Sequence, residues 1–272
     1  LGSKPVSGPN HFFLDTPINK KTIHDTLSKV KPNLIFHCAG TTNQKAILDT
    51  FYVNTFYASF ILKSLDNLGL SDKTKVMIVG TSAEYGSISQ EQLPISEELK
   101  PNPYNLYGRS KLAQTDLSLI WQSKQNPLLV VRPFNIIGPG TPNHLVVGNF
   151  LQQINSMNHE GILRTGNLST ARDFIDIDDA VRIMWKLAHS DRSYGEVINL
   201  CRNEAVKIID IVNYLIESSG KKIELITDKS RLRKNDIPNH YGDNTKLKDI
   251  IGEFKFTDWN TTLRKTINYH VA

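Results

Sequence analysis

The sequence predicts an α/β protein: a doubly wound parallel sheet covered on both faces by helices, with a smaller mixed α/β lobe toward the C-terminus. Three observations carry this expectation. Short runs that are apolar throughout, such as Leu34-Ile35-Phe36, Val76-Met77-Ile78-Val79 and Leu128-Leu129-Val130-Val131, alternate with longer segments of helical spacing. A strand with no polar side has no face for water, which is the pattern of a sheet sandwiched between helices. Each run ends in a Gly or a polar turn, and such sheets bind ligands at the carboxyl ends of their strands.

Taken in order, residues 1–10 are rich in Gly, Pro and Ser and read as loop, and residues 11–14 as a short strand ending in Asp15. Ile18, Ile23, Leu27 and Val30 have helical spacing, and Lys31-Pro32-Asn33 stops that helix. Residues 34–40 read as a buried strand running into Gly40. Residues 47–68 read as a long helix, 75–80 as a strand, 104–124 as a helix, and 127–131 as a strand. In the second half, helices are expected at 145–158, 178–189, 207–219, 243–251 and 258–270. Extended segments are expected at 171–177, 196–201 and 222–227. Gly220 stands where a helix from 207 would end.

At 272 residues the chain is long enough for one large domain or two lobes. Its net charge of +5 is scattered, which suits an anionic small ligand and singles out no nucleic acid. The two cysteines, Cys38 and Cys201, lie in apolar strand-like runs. They read as buried thiols rather than a disulfide framework or metal site, and so point to a reducing, cytoplasmic compartment. No apolar run is long enough to span a membrane. Leu1 is not Met and no signal peptide follows it, so the chain is expected to start partway into a longer protein.

The chemistry centres on Tyr107-Gly108-Arg109-Ser110-Lys111. On a helix, Tyr107 and Lys111 lie one turn apart on one face. A phenol beside an ammonium is a proton donor whose phenolate is favoured by the nearby charge. None of the other eight of the nine tyrosines has Lys four residues on. Three strand ends join this pair. Ala39-Gly40 is either a tight turn or a place for close cofactor approach. Thr81-Ser82 puts hydroxyls directly after a buried strand, either for a substrate oxygen or for the local backbone. Arg132-Pro133-Phe134-Asn135 opens a rigid turn through Gly140.

Together these residues resemble the extended short-chain dehydrogenase/reductase family of nucleotide-sugar epimerases, dehydratases and reductases. The resemblance is carried by His37-x-Ala39-Gly40, Asn54, Thr81 through Gly86, Pro94-x-x-Glu97 and Pro103-x-x-x-Tyr107-x-x-x-Lys111. It continues in Arg132-Pro133-Phe134-Asn135-x-x-Gly138-Pro139-Gly140 and Arg172-Asp173-Phe174-x-x-x-x-Asp179. Within the family the pattern is most similar to reductases of GDP-linked 4-keto-6-deoxy-mannose. The markers are Gly166-Asn167-Leu168, Gly195 through Cys201, and Asp228-x-x-Arg231-x-Arg233-x-x-Asp236-x-Pro238.

The resemblance implies a Rossmann-like domain at 1–140 plus about 174–200, with a substrate lobe at 141–173 and 201–272. It implies hydride transfer between NAD or NADP and a sugar carbon. Tyr107 would be the general acid, with Lys111 holding the nicotinamide ribose and lowering the Tyr107 pKa, and Thr81 on the same substrate oxygen. Asp15, Ala39, Gly40 and Phe134 would line the cofactor. Ser82, Asn135 and Asn149 would bind substrate, and Arg172 and Arg233 its diphosphate. A homodimer through helices 47–68 and 104–124 is implied, with Phe56, Phe60, Leu117 and Trp121 on that face. Ser3 and Lys4 tilt the cofactor toward NADP.

Two departures stand out. The 4,6-dehydratases place an acid two residues before the loop Tyr, where this chain has Ala83; Glu84 is displaced by one. The family's opening Gly-x-x-Gly-x-x-Gly turn, which holds the cofactor diphosphate, is not in the sequence. A unit of about 30 residues is expected upstream. The alternatives are a nucleotide-sugar 4-epimerase using the same residues, or a non-catalytic homologue without cofactor binding.

Overall fold

The computed structural model describes residues 18–42, 46–122, 126–232 and 237–271, with only the backbone for 270 and 271. The expected strand at 11–14, Ser3, Lys4, Asp15 and Arg233 lie outside the described residues. The chain divides into two compact units. One comprises residues 1–86, 100–132 and 187–198; the other comprises 87–99, 133–186 and 199–272. The division differs in place from the expected one: 87–99, 133–140, 174–186 and 199–200 group with the second unit.

Strands β1 (Leu34–His37), β2 (Lys75–Val79), β3 (Leu128–Pro133) and β8 (Val197–Leu200), all but Pro133, Asn199 and Leu200 in the first unit, form a sheet of order β1-β2-β3-β8. β1 pairs parallel with β2, and β2 with β3. Helix α1 (Lys20–Val30) begins where the Asn19 side chain accepts the backbone N–H groups of Lys21 and Thr22 at 2.9 and 3.1 Å. It ends at Lys31, in left-handed backbone just before Pro32. Its Ile23 and Leu27 pack with Ala58, Leu62 and Leu65 and with Val76, Ile78, Leu128 and Val130 of the sheet. Every residue of β3 is buried. Burying each such Leu or Val side chain stabilises the fold by about 2 kcal/mol.

The expected helix at 47–68 is present but not uniform. It runs as α2 (Ile47–Phe51), a π-helical turn at Tyr52–Phe56, and α3 (Tyr57–Leu68). Helix α4 (Leu106–Gln122) has a polar buried face, comprising Gly108, Ser110, Lys111, Gln114, Thr115, Ser118 and Trp121. Two expectations are corrected in this unit. Trp121 is 6% exposed within the core and donates Nε1–H to Asp66 at 2.8 Å, so it is core rather than surface. Cys38 is exposed, because it follows the last residue of β1, whereas Cys201 of the second unit is buried.

The second unit contains parallel pairs β4 (Asn135–Ile137) with β7 (Phe174–Asp176) and β5 (Glu160–Thr165) with β10 (Lys222–Thr227). It also holds a three-stranded sheet of β11 (Asn239–His240), β6 (Ala171–Arg172) and β9 (Val206–Lys207). Helices α5 (Val146–Asn155), α7 (Ile208–Ser219) and α9 (Trp259–Val271) close on a core of Ile137, Phe150, Leu151, Leu163, Phe174, Ile211, Leu215 and Leu263. Helices α6 (Ile177–Ala188), which runs into the first unit, and α8 (Thr245–Ile251) complete the expected set. β5 escapes the sequence reading because Gly161 and three exposed residues, Glu160, Ile162 and Arg164, mask its buried Leu163 and Thr165. β4 reads as turn in the sequence, but its backbone is drawn into pairing with β7. No helix among the described residues is long and apolar enough to cross a membrane.

Candidate active site

The loop after β2 opens with Thr81, which caps a short 3-10 turn at Ser82–Glu84. The Thr81 hydroxyl accepts the Ala83 N–H at 3.3 Å, and the Glu84 carboxylate accepts the Thr81 N–H at 3.0 Å. This is a capping box, which satisfies two backbone donors reciprocally and fixes the loop. Helix α4 approaches that loop closely. A Cβ on Gly108 would lie 2.6 Å from the Ala83 carbonyl oxygen, so the residue after Tyr107 must be Gly for the helix to abut the loop. The Asn105 side chain caps the helix start by accepting the Gly108 N–H at 2.8 Å.

Tyr107 lies within reach of the Thr81 side chain, which acts to lower its phenol pKa. Burial pushes the phenol pKa up, the Thr81 side chain pulls it down and the Glu84 charge pushes it up again; the net direction is upward. Lys111 is buried, and burial lowers its pKa to about 8 against the opposing pull of Glu84 and Cys38. Its ammonium donates to the Val79 carbonyl and to Gln114 Oε1. The expectation that Lys111 draws the Tyr107 pKa down is therefore not met in the ligand-free protein, where desolvation dominates the phenol.

Around these residues lie groups whose structural role the sequence reading had not assigned. Glu84 and Arg132, 0% and 4% exposed, form an ion pair at 2.9 Å. Asn54, in the π-helical turn, accepts the Thr41 N–H at 2.6 Å and donates to the Thr41 carbonyl and to Ser110 Oγ, both at 2.9 Å. It ties the loop after Ala39 and Gly40 to α4. The three-residue spacing of Thr81 and Glu84 is the sequence signal that could have assigned Glu84 its capping role. Ser82 is buried beside Thr81, Ala39 is half-buried and Gly40 is exposed.

The residues present fit the nicotinamide-ribose end of a dinucleotide. Small residues end β1, the Lys111 ammonium is desolvated, and His37 Nε2 and Gln114 Nε2 are buried without hydrogen-bond partners among the described residues. Buried polar groups and a desolvated cation of this kind gain from the hydroxyls of a ribose.

Of the expected substrate residues, Ser82 lies in the first unit, and Asn135, Asn149 and Arg172 belong to the second, each with its own hydrogen-bond partners. Asn135 donates to the Asp173 carbonyl at 2.8 Å, and Arg172 to the Ala171 carbonyl at 2.8 Å. Asp173 is buried and accepts the backbone N–H groups of Arg202, Asn203, Glu204 and Gly242. Asn149 is bonded instead to Arg231 at 2.7 Å and Gln153 at 2.8 Å. Phe134 is 5% exposed, with its ring 5.3 Å from that of His240, so it packs into the unit's interior.

Residues 7–201 match the model of the NAD dependent epimerase/dehydratase family. The chain is 31% identical over 230 residues to GDP-6-deoxy-D-mannose reductase of Pseudomonas aeruginosa, covering 81% of this chain and 74% of that one. It is 31% identical over 252 residues to GDP-6-deoxy-D-talose 4-dehydrogenase of Aggregatibacter actinomycetemcomitans, covering 91% and 83%. A solved structure of RMD from Pseudomonas aeruginosa complexed with NADPH superposes with a TM-score of 0.85 at 26% identity, covering 98% of this chain and 88% of that one.

Proposed function

The chain belongs to the NAD-dependent epimerase/dehydratase family and is an NAD(P)-dependent oxidoreductase acting on nucleotide sugars, and we propose that it reduces the 4-keto group of a GDP-linked 4-keto-6-deoxy sugar. The observation that carries this reading is Tyr107 within reach of the Thr81 side chain and one helical turn from a buried Lys111, next to a loop where Ala83 stands at the dehydratase acid position. Glu84 does not replace that acid. Its carboxylate is taken up by Arg132, Thr115 and the Thr81 N–H.

A nicotinamide cofactor, held by Lys111 at its ribose, would supply the hydride. The chain's own part is to deliver the proton: Tyr107 donates from its hydroxyl to the sugar's carbonyl oxygen, while the Thr81 hydroxyl bonds the same oxygen and aligns it. Lys111 turns from Val79 and Gln114 toward the ribose hydroxyls and, once held there, stabilises the developing phenolate. Arg172 binds the diphosphate as a planar donor, with Asn135 and Asn149 on substrate and Ser82 beside the sugar. Arg231, bonded to Asn149, belongs to that second recognition group.

NADPH consumption by the protein, including any residues that precede Leu1, tests this with GDP-4-keto-6-deoxy-mannose. Substrate-dependent loss of NADPH absorbance is expected. Interconversion of sugars with no net oxidation of added NADPH identifies an epimerase instead.

We also infer a homodimer through α2 and α4. Ile47 and Leu48 of α2, Phe56 of the π-helical turn and Leu117 and Ile120 of α4 are exposed, Leu48 by 84% and Ile120 by 64%, and exposed apolar side chains on these helices favour a partner. Light scattering that gives the mass of one chain overturns this. The two free thiols favour a cytoplasmic setting, which cell fractionation checks.

A further inference from the structure

The Glu84–Arg132 pair is the most deeply buried pair of opposite charges in the first unit's site, and the mechanism above does not use it. Glu84 Oε1 accepts the Thr81 N–H at 3.0 Å. Glu84 Oε2 accepts from Arg132 Nε at 2.9 Å and from Thr115 Oγ1 at 3.0 Å. The Arg132 guanidinium in turn lies 4.8 Å over the Tyr85 ring. A Cβ at residue 80 would sit 2.6 Å from Glu84 Oε1, so only Gly80 leaves room for the carboxylate. Three bonds thus hold one carboxylate, one of them to the main chain of Thr81, whose side chain lies beside Tyr107.

Resting on the reduction reading, we propose that Glu84, locked by Arg132, is a positioning residue that fixes Thr81 against Tyr107 and supplies the negative charge beside the Tyr107–Lys111 pair. A buried ion pair is a weak way to gain stability, since desolvation offsets the attraction. A role in the site explains why one is kept here. The charged and titratable groups around the pair come from four elements: His37 and Cys38 at the end of β1, Glu84 and Tyr85 after β2, Lys111 on α4, and Arg132 on β3. Burial dominates both groups, raising the pKa of the Tyr107 phenol and lowering that of the Lys111 ammonium; the Glu84 charge adds to the first and opposes the second. Its charge disfavours the Tyr107 phenolate and favours the Lys111 ammonium. Arg132 limits that effect by pairing with it.

The test is titration of Tyr107 by NMR of protein labelled at the tyrosine ring carbon bearing the hydroxyl, with the resonance assigned by Tyr107→Phe. In Glu84→Gln the amide oxygen still accepts the Thr81 N–H, but the charge is gone and Arg132 is uncompensated. The Tyr107 midpoint is expected to fall by about one pH unit or more, and the basic limb of kcat to fall with it. Glu84→Gln/Arg132→Gln removes both charges and is expected to return the midpoint toward the starting value. An unmoved midpoint in the single variant overturns the proposal, because a purely structural role lowers stability without moving it. If Glu84→Gln does not fold, Glu84→Asp keeps the charge but shortens the reach to Thr81. It should lower kcat with the midpoint unchanged, and an unchanged kcat overturns the proposal. The titration needs no substrate. A moved midpoint in a protein that consumes no NADPH keeps this inference and removes the reduction reading; NADPH consumption with an unmoved midpoint does the reverse.

Discussion

In the unit that carries Tyr107 and Lys111, the charged groups nearest the chemistry are sealed: Glu84, Arg132 and Lys111 are all buried. In the other unit, the candidate recognition residues Asn135, Asn149 and Arg172 are only half-buried, and their bonds run largely to backbone carbonyls and neighbouring polar side chains. The difference reflects what each must do. A proton donor needs a fixed geometry and a controlled charge environment, which low dielectric strengthens. Residues that take up a diphosphate must surrender existing bonds when the ligand arrives, so shallow bonds to replaceable partners cost less to break. Burial is concentrated around the candidate proton donor, and partial exposure around the candidate recognition residues.

Tyr107→Phe probes the sealed side hardest. It removes the donor while leaving the ring, and should lower kcat by ~10³-fold with little change in the KM for the sugar, measured by steady-state NADPH consumption. A drop in kcat under tenfold would mean that Tyr107 is not the acid and that the contrast between the units is misplaced.

Acid separates the units next. Burial, then Lys111, holds the His37 pKa down at about 3 from 6.5. The unfolded chain therefore binds a proton that the folded chain refuses, and this contribution to stability is full above pH 6.5 and drains as pH falls toward 3. In the second unit His240, at about 4, acts in the same direction. Asp173 opposes it. Burial raises that carboxyl from 3.8 to about 6, so its contribution is full below 3.8 and lost as pH rises through 6. Lowering the pH from 6 to 4 should therefore weaken hydrogen-exchange protection in β1–β3 by about 2 kcal/mol while α7 changes little. Equal losses in both units would break the comparison, and Asp173→Asn should produce them by removing the offset.

The smallest effect belongs to the exposed side. Arg172→Lys keeps the charge but loses the planar fork, and should raise the KM for the GDP-sugar by roughly tenfold with kcat nearly unchanged. An equal loss in kcat would place Arg172 in the chemistry instead.

The sheet was legible because strands such as Val76-Met77-Ile78-Val79 are apolar on both sides, and the helices because their spacing is strong. β5 and β4 were not, since Gly161 and the polar start of Asn135-Ile136-Ile137 hide strands that exist only because β10 and β7 pair with them. At the candidate site, spacing singled out Tyr107 with Lys111, and the hydroxyls after a buried strand together with the family resemblance pointed to Thr81. The exposure of Cys38 could not, because a residue one past a strand looks the same in sequence as the last one within it. Nor could Asn149's pairing with Arg231, which joins residues 82 positions apart.

The π-helical turn at Tyr52–Phe56 has one more consequence. Such a turn closes its ring one residue later than an α-helical turn does, so it amounts to a single inserted amino acid within a helix. Asn54 occupies that insertion and spends its side chain on Thr41 and Ser110. Deleting one residue there would leave a continuous helix of ordinary period. Helix α2 would then be rotated by about a quarter-turn relative to α3, and the thread between the first strand's loop and the catalytic helix would be cut. The length of the chain, counted to the residue, is therefore part of the site.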